Sequence, residues 1–261
     1  MASVDAACAT MPITLPVSVP GPEIEASASA ALRVRRAFSL SGVVPLGAFI
    51  VLHLAINARA LVGGWAFVRT VDTLDRTPGL PFIESLLVLA PLVFHGALGL
   101  WLVASGRPLP GPTPYPRPLR IGMRATGLGV LAFLAVHLPS VRFHLPRTRL
   151  AGAELATVLD AQLSATWHGV PWQGLLYLAG TACVTFHFAC GLWGFYATTR
   201  AGRESPLRRK RAAWGALGAG LLMWATFADV VVLRATGAAL LGGGALPPAT
   251  LPCPAPASSG P

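Results

Sequence analysis

Charge is what this sequence has least of. Only 11% of its 261 residues are Asp, Glu, Lys or Arg, against about 25% in an ordinary soluble domain. With 54% hydrophobic residues and a mean hydropathy of +0.62, a soluble globular domain is excluded. Acid is scarcer than base, ten residues to twenty, which leaves a net charge of +10. In a soluble chain that surplus would suggest nucleic acid. Here the basic residues cluster between apolar runs, where they act as an orientation signal, so no nucleic-acid partner is expected. Cysteine is also scarce. Cys8 and Cys253 lie in opposite tails and Cys183 and Cys190 in one apolar run, which is no disulfide framework. Residues 1–32 lack a basic n-region, carry Asp5, Glu23 and Glu25, and are interrupted by Pro12, Pro16, Pro20 and Pro22. They read as a disordered tail and not as a secretory signal. No useful internal repeat is present.

What is there instead is five apolar runs long enough to cross about 30 Å of hydrocarbon. They lie near 37–61, 82–104, 121–139, 172–198 and 212–236. The expected fold is therefore all-α, a polytopic membrane bundle over 33–236, with a second disordered tail at 237–261 that is Gly-, Pro- and Ala-rich. Lys and Arg set the direction. Arg33, Arg35 and Arg36, then Arg107, Arg117, Arg120 and Arg124, then six between Arg200 and Arg211 give thirteen on one side, and seven remain for the other. The bias places the N-terminus in the cytoplasm and, after five crossings, the C-terminus outside.

Four of the six histidines lie inside spans: His53, His95, His137 and His187, one in each of the first four. An imidazole at membrane depth needs a partner. A hydrogen bond to a neighbouring carbonyl would satisfy any single one, but four successive helices with one each is a pattern. His53 follows Arg36 by seventeen residues and His137 follows Arg120 by seventeen, so these two share a level in the outer half. His95 and His187 share a deeper level on the two helices running inward, roughly 7–13 Å away at about 1.5 Å per residue. Two pairs at matched depth, each from two helices, are what two six-coordinate b haems require.

A zinc site at Cys183, His187 and Cys190 is the rival, but it has three ligands where structural zinc takes four. Gly96, Gly99 and Gly191 offer small faces near His95 and His187. Pro45 and Pro91 each remove a helix hydrogen bond near a histidine and are expected to bend their helices. Asp229 is an odd acid for the fifth span, with Arg234 placed to neutralise it near the outer end.

The stretches RRAFSLSGVVPLGAFIVLHLAIN, LAPLVFHGALG, RATGLGVLAFLAVHL and TFHFACGLWGF resemble the single-chain, five-helix, di-haem cytochrome b subunit that anchors succinate dehydrogenase or fumarate reductase. The resemblance spans about 33–236. It implies that His53 and His137 hold the haem distal to the cytoplasmic subunits, and His95 and His187 the proximal one. It implies two soluble partners, a flavoprotein with the succinate/fumarate site and an iron–sulfur protein, in the inner (cytoplasmic) membrane of a prokaryote. Electrons would pass between the iron–sulfur chain and a membrane quinone, menaquinone on family grounds, and the dicarboxylate chemistry lies outside this chain.

Asp75 resembles the family's quinone-site carboxylate in position, and Glu84 is the other acid for that role; each also reads as an ordinary loop or helix-start charge. Arg36, Ser39 and Arg124 match family positions on the cytoplasmic side and are the propionate partners the resemblance implies, although positive-inside anchoring alone would place such arginines there. His144, two turns past His137, is a further group for the distal haem or a surface histidine, and His168 has no role. A glutamate that one subgroup carries two residues before the fourth-helix ligand is Thr185 here. The alternatives are a cytochrome b of another respiratory enzyme, a hydrogenase or formate dehydrogenase, and a haem-free transporter or scaffold whose histidines line a proton path.

Overall fold

A computed structural model describes residues 22–106, 115–142 and 151–241. Among these the chain is helical, with no strand beyond an isolated bridge between Trp167 and Val170. Five helical stretches are long and apolar enough to cross a membrane: Arg33–Val62, Leu80–Ser105, Arg117–Arg142, Trp172–Thr198 and Pro206–Thr236. The protein is a multi-pass helical membrane protein.

Three of the spans are not uniform. The first consists of α1 (Pro22–Ser41), a π-helical turn at Gly42–Leu46, and α2 (Gly47–Val62). Helix α1 begins inside the stretch read from sequence as tail; residues 1–21 and 242–261 lie outside the described residues. The second span runs from α4 (Leu80–Glu84) through a π turn at Ser85–Leu89 into α5 (Ala90–Ser105). The third is α6 (Arg117–His137) followed by a π turn at Leu138–Arg142. Pro45 and Pro139 sit within two of these wide turns and Pro91 just after the third. Proline lacks the N–H and crowds the carbonyl four residues back, and a widened turn relieves both. The helices pass through their prolines by widening.

Between the first two spans, α3 (Gly64–Asp75) turns back across one end of the bundle, and α7 (Gly152–Ser164) does the same before the fourth span. Both segments fall between the apolar runs of the sequence. Their signal was present: Phe67, Val71 and Leu74 recur at helical spacing, as do Leu155, Leu159 and Leu163. Phe67, Val71 and Leu159 bury with Ala60 and Leu233 as one core. Asp72 Oδ1 accepts the Gly152 N–H at 2.9 Å, which ties the start of α7 to α3. The break between α2 and α3 is Gly63, at φ 146°, a backbone conformation that favours glycine.

The fourth and fifth spans, α8 (Trp172–Thr198) and α10 (Pro206–Thr236), joined by the short α9 (Arg200–Glu204), form the spine. Gly220 lies so close to α8 that a Cβ there would stand 2.8 Å from the Ala189 Cβ. Small residues let the backbones approach, the usual means of association where lipid removes the hydrophobic drive. By contrast, none of the most apolar window of the second span is buried within the chain, against 39% of the fifth. The second span therefore packs against the rest of the chain less closely than the fifth.

Candidate functional site: two imidazole pairs

Four helices each contribute one imidazole, and these meet two by two. His53 of α2 and His137 of α6 stand with ring centroids 6.0 Å apart and planes at 82°. His95 of α5 and His187 of α8 stand 6.2 Å apart at 89°. They are the combinations that share a depth in the sequence. Two imidazoles on opposite sides of one metal ion, each donor nitrogen about 2 Å from it, would hold their centroids about 6.3 Å apart. Both pairs sit close to that separation, and no hydrogen bond joins the rings of either pair among the described residues.

The hydrogen bonds orient the rings. His95 Nδ1 lies 3.2 Å from the Phe38 carbonyl and 3.2 Å from Ser41 Oγ. His187 Nδ1 lies 3.2 Å from the Met123 carbonyl and 3.5 Å from Thr126 Oγ1. A carbonyl can only accept, so Nδ1 carries the proton in both rings and Nε2 keeps its lone pair. His137 Nδ1 meets the Tyr177 hydroxyl at 3.2 Å, a partner that sequence reading missed. One carbonyl bond would satisfy a structural histidine. It does not account for each ring facing a second imidazole to which it is not bonded, whereas outer-shell fixation of Nδ1 is how metal-binding histidines are held.

Aromatic walls and two glycines complete the setting. Phe38 stacks on His95 at 4.4 Å and 5°, and Phe133 on His137 at 5.2 Å and 21°. A Cβ on Gly42 would stand 2.6 Å from His95 Cε1, and one on Gly127 would stand 3.1 Å from His187 Cε1. Neither glycine was singled out from the sequence, because nothing local marks a glycine that faces a ring from another helix. Of the three that were, Gly191 has open space before it, but Gly96 faces Leu131 at 3.2 Å and Gly99 faces Phe38 at 3.8 Å. Those two serve helix packing and do not open a face beside His95. Cys183 packs against Gly129, where a Cβ would meet its sulfur at 2.7 Å. Cys190 is buried, and its carbonyl accepts from the Tyr115 hydroxyl at 3.0 Å. No three His, Cys, Asp or Glu gather into a metal-holding group among the described residues. The imidazoles meet strictly in twos.

Comparison with known proteins bears on what such pairs do. The chain is similar to the succinate dehydrogenase cytochrome b558 subunit of Bacillus subtilis (strain 168), with 30% identity over 165 residues, covering 63% of this chain and 78% of that protein. The chain belongs to the family of succinate dehydrogenase cytochrome b subunits. No family model matches it, and no solved structure does.

The remaining residues singled out in this cytochrome b family member are spread over both ends. Glu84 ends α4 and accepts from Arg142 Nη2 at 3.0 Å, tying the second span to the third with both side chains partly exposed. Asp75 is the last residue of α3. At the arginine-rich end, Arg36 and Arg124 are exposed and Ser39 is half-buried. Thr185 is buried and donates to the Thr181 carbonyl at 3.0 Å. His144 lies outside the described residues, and His168 sits at φ 50° in the tight turn beside Trp167.

Asp229 corrects the expectation that Arg234 neutralises it. Its Oδ1 accepts the backbone N–H of Leu240 at 2.5 Å and of Leu241 at 3.3 Å, latching the chain after α10. Arg234 instead bonds Asp160 of α7 at 2.7 Å and lies 4.3 Å over the Phe67 ring. Tyr115, just before the third span, fits where Gly194 has no side chain. Burial, and then its neighbour Cys190, push its hydroxyl up to about 12 against the pull of Arg35, so it stays a donor.

Proposed function

We propose that His53 with His137 would hold one b haem and His95 with His187 a second, and that the chain carries electrons between an iron–sulfur subunit and a membrane quinone. The observation that carries this reading is the geometry of the pairs: each has the span of a shared metal ion, and three of the four rings have Nδ1 already engaged. Two haems, when bound, supply one-electron redox chemistry at two depths of the bilayer. The protein's part is to hold and orient. The carbonyls of Phe38 and Met123 keep Nε2 of His95 and His187 in the ligating tautomer. Gly42 and Gly127 leave room for those rings.

The complex assigned to the relative by its name supplies the partners: a flavoprotein and an iron–sulfur protein bound at the arginine-rich, cytoplasmic end, in a prokaryotic inner membrane. On this reading Arg36, Ser39 and Arg124 meet the propionates nearest that end. Glu84 and Asp75, at the opposite end near the His53/His137 pair, are the groups to exchange protons with a quinone, whose reduction takes two electrons and two protons. Menaquinone is the quinone favoured by the family resemblance. If the quinone reacts there, each electron crosses part of the membrane field, worth about 2.3 kcal/mol per charge per 100 mV for a full crossing.

The test is haem counting on the purified complex. A pyridine haemochrome assay is expected to give two b haems per chain, and His187→Ala to leave one, with the His53/His137 spectrum intact. Absence of haem, or a full complement in His187→Ala, would sink the assignment. Co-purification with hydrogenase or formate dehydrogenase subunits would move the chain to another respiratory complex.

A further inference from the structure

A groove of about 510 Å³ runs between α8 and α10, with α6 at one edge, and its walls include Ala182, Ala189, Trp193, Ala216, Gly220 and Trp224. A second hollow of about 240 Å³ shares Trp193 and Ala216 and continues past Gly215 and Ala212 toward the start of α10. The two form one apolar track. It offers no free donor at its tryptophans: Trp224 Nε1 donates to the Leu178 carbonyl and Trp193 Nε1 to the Arg209 carbonyl, each at 3.2 Å. From Trp224 to Ala212 the track is about 18 Å long at the helical rise, a little over half of the roughly 30 Å hydrocarbon core. That is the reach of one leaflet.

What lies at its end decides the occupant. Arg208, Arg209, Lys210 and Arg211 are all exposed, and their side chains have no hydrogen bond or ion pair among the described residues. Arg208 is one turn from Ala212 and Arg211 one turn from Gly215, so both stand over the mouth of the track. The nearest acid in sequence, Glu204, is already held by Arg200 at 2.6 Å. The amides of the first turn of α10 add a partial positive charge. An apolar track one leaflet deep that opens on unpartnered cations matches a hydrocarbon chain joined to an anionic headgroup. A neutral isoprenoid would use the track but leave the cations idle.

We propose that this groove is a binding site for an anionic phospholipid, with one acyl chain lying between α8 and α10 and the phosphate against Arg208 and Arg211. The test uses the full-length complex, extracted in mild detergent, exchanged into mixed phosphatidylglycerol and phosphatidylcholine, and read by native mass spectrometry. The wild type is expected to retain phosphatidylglycerol in preference. Arg208→Gln with Arg211→Gln should weaken that retention about thirtyfold, at about 1 kcal/mol for each cation at a membrane surface. Gly215→Leu should abolish it by filling the track just inside its mouth, since the open space before Gly215 takes a side chain without touching backbone. Arg76→Gln, an exposed cation between the first two spans and far from the track, should change nothing. Far-UV circular dichroism checks that the variants stay folded. Equal retention of phosphatidylcholine, retention unchanged in both variants, or a quinone or a second copy of the chain occupying the groove would each overturn the proposal.

Discussion

Gly42→Ala is the most pointed perturbation of the His95/His187 pair, because it leaves both imidazoles in the chain and adds a single methyl beside one of them. The new Cβ would stand 2.6 Å from His95 Cε1, where ordinary contact begins at 3.4 Å. Something must therefore give by about 0.8 Å. Gly42 lies in a π turn whose backbone is fixed by Pro45, while the ring is held at Nδ1 by Phe38 and Ser41. Overpacking of this kind costs about 1–3 kcal/mol in a close-packed site, which the fold can absorb. A metal–ligand bond tolerates only about 0.2 Å. The expected result is a folded chain that has lost, or holds weakly, the haem of His95 and His187, with the His53/His137 haem unaltered. Gly127→Ala asks for only about 0.3 Å of His187, from 3.1 Å, and should shift the spectrum of the same haem without losing it. Gly218→Ala, which meets nothing within 4 Å, is the control. Haem per chain and the low-temperature α-band of reduced membranes are the readouts. Two haems with unchanged spectra in Gly42→Ala would refute the reasoning, as would an equal effect in Gly218→Ala.

Further outcomes are expected at Tyr177, at the Asp160–Arg234 pair and at Asp229. Tyr177→Phe removes the hydroxyl at His137 Nδ1 and should move the midpoint potential of one haem only in a redox titration, since outer-shell bonds set ligand basicity. Asp160→Ala leaves the buried Arg234 guanidinium unpaired and should cost about 2–3 kcal/mol, below the 3–5 of a fully enclosed pair because Asp160 is 40% exposed. Arg234→Met should cost less than Asp160→Ala in thermal unfolding, and the double variant should cost less than the sum of the two. Asp229→Ala strands the Leu240 and Leu241 amides, at about 1–3 kcal/mol, and should expose the chain after α10 to limited proteolysis while the spans stay intact.

The five spans were legible in the sequence, because a bilayer demands unbroken apolar length and so few charges remain to blur the boundaries. So was the partnership of the histidines by depth. Rise along a helix is constant, and counting residues from the basic margin measures height without knowledge of packing. What counting could not supply is anything that depends on rotation or on a neighbour distant in the chain. Gly42 against His95, Gly127 against His187, Tyr177 on His137 and the carbonyls of Phe38 and Met123 all come from a second helix. In an all-apolar span every face reads alike, so no periodicity says which one turns inward. The helices α3 and α7, of 12 and 13 residues and each carrying charge, are too short and too polar to register in a search for spans, although their apolar spacing is helical. Asp229 was matched to Arg234 because it is nearest along α10, but a backbone turn and a third helix divided them. The order of apolar runs and histidines along the chain determined that it is a multi-pass helical protein and which imidazoles stand level with one another. Only the packing of the helices decided which atoms those imidazoles face.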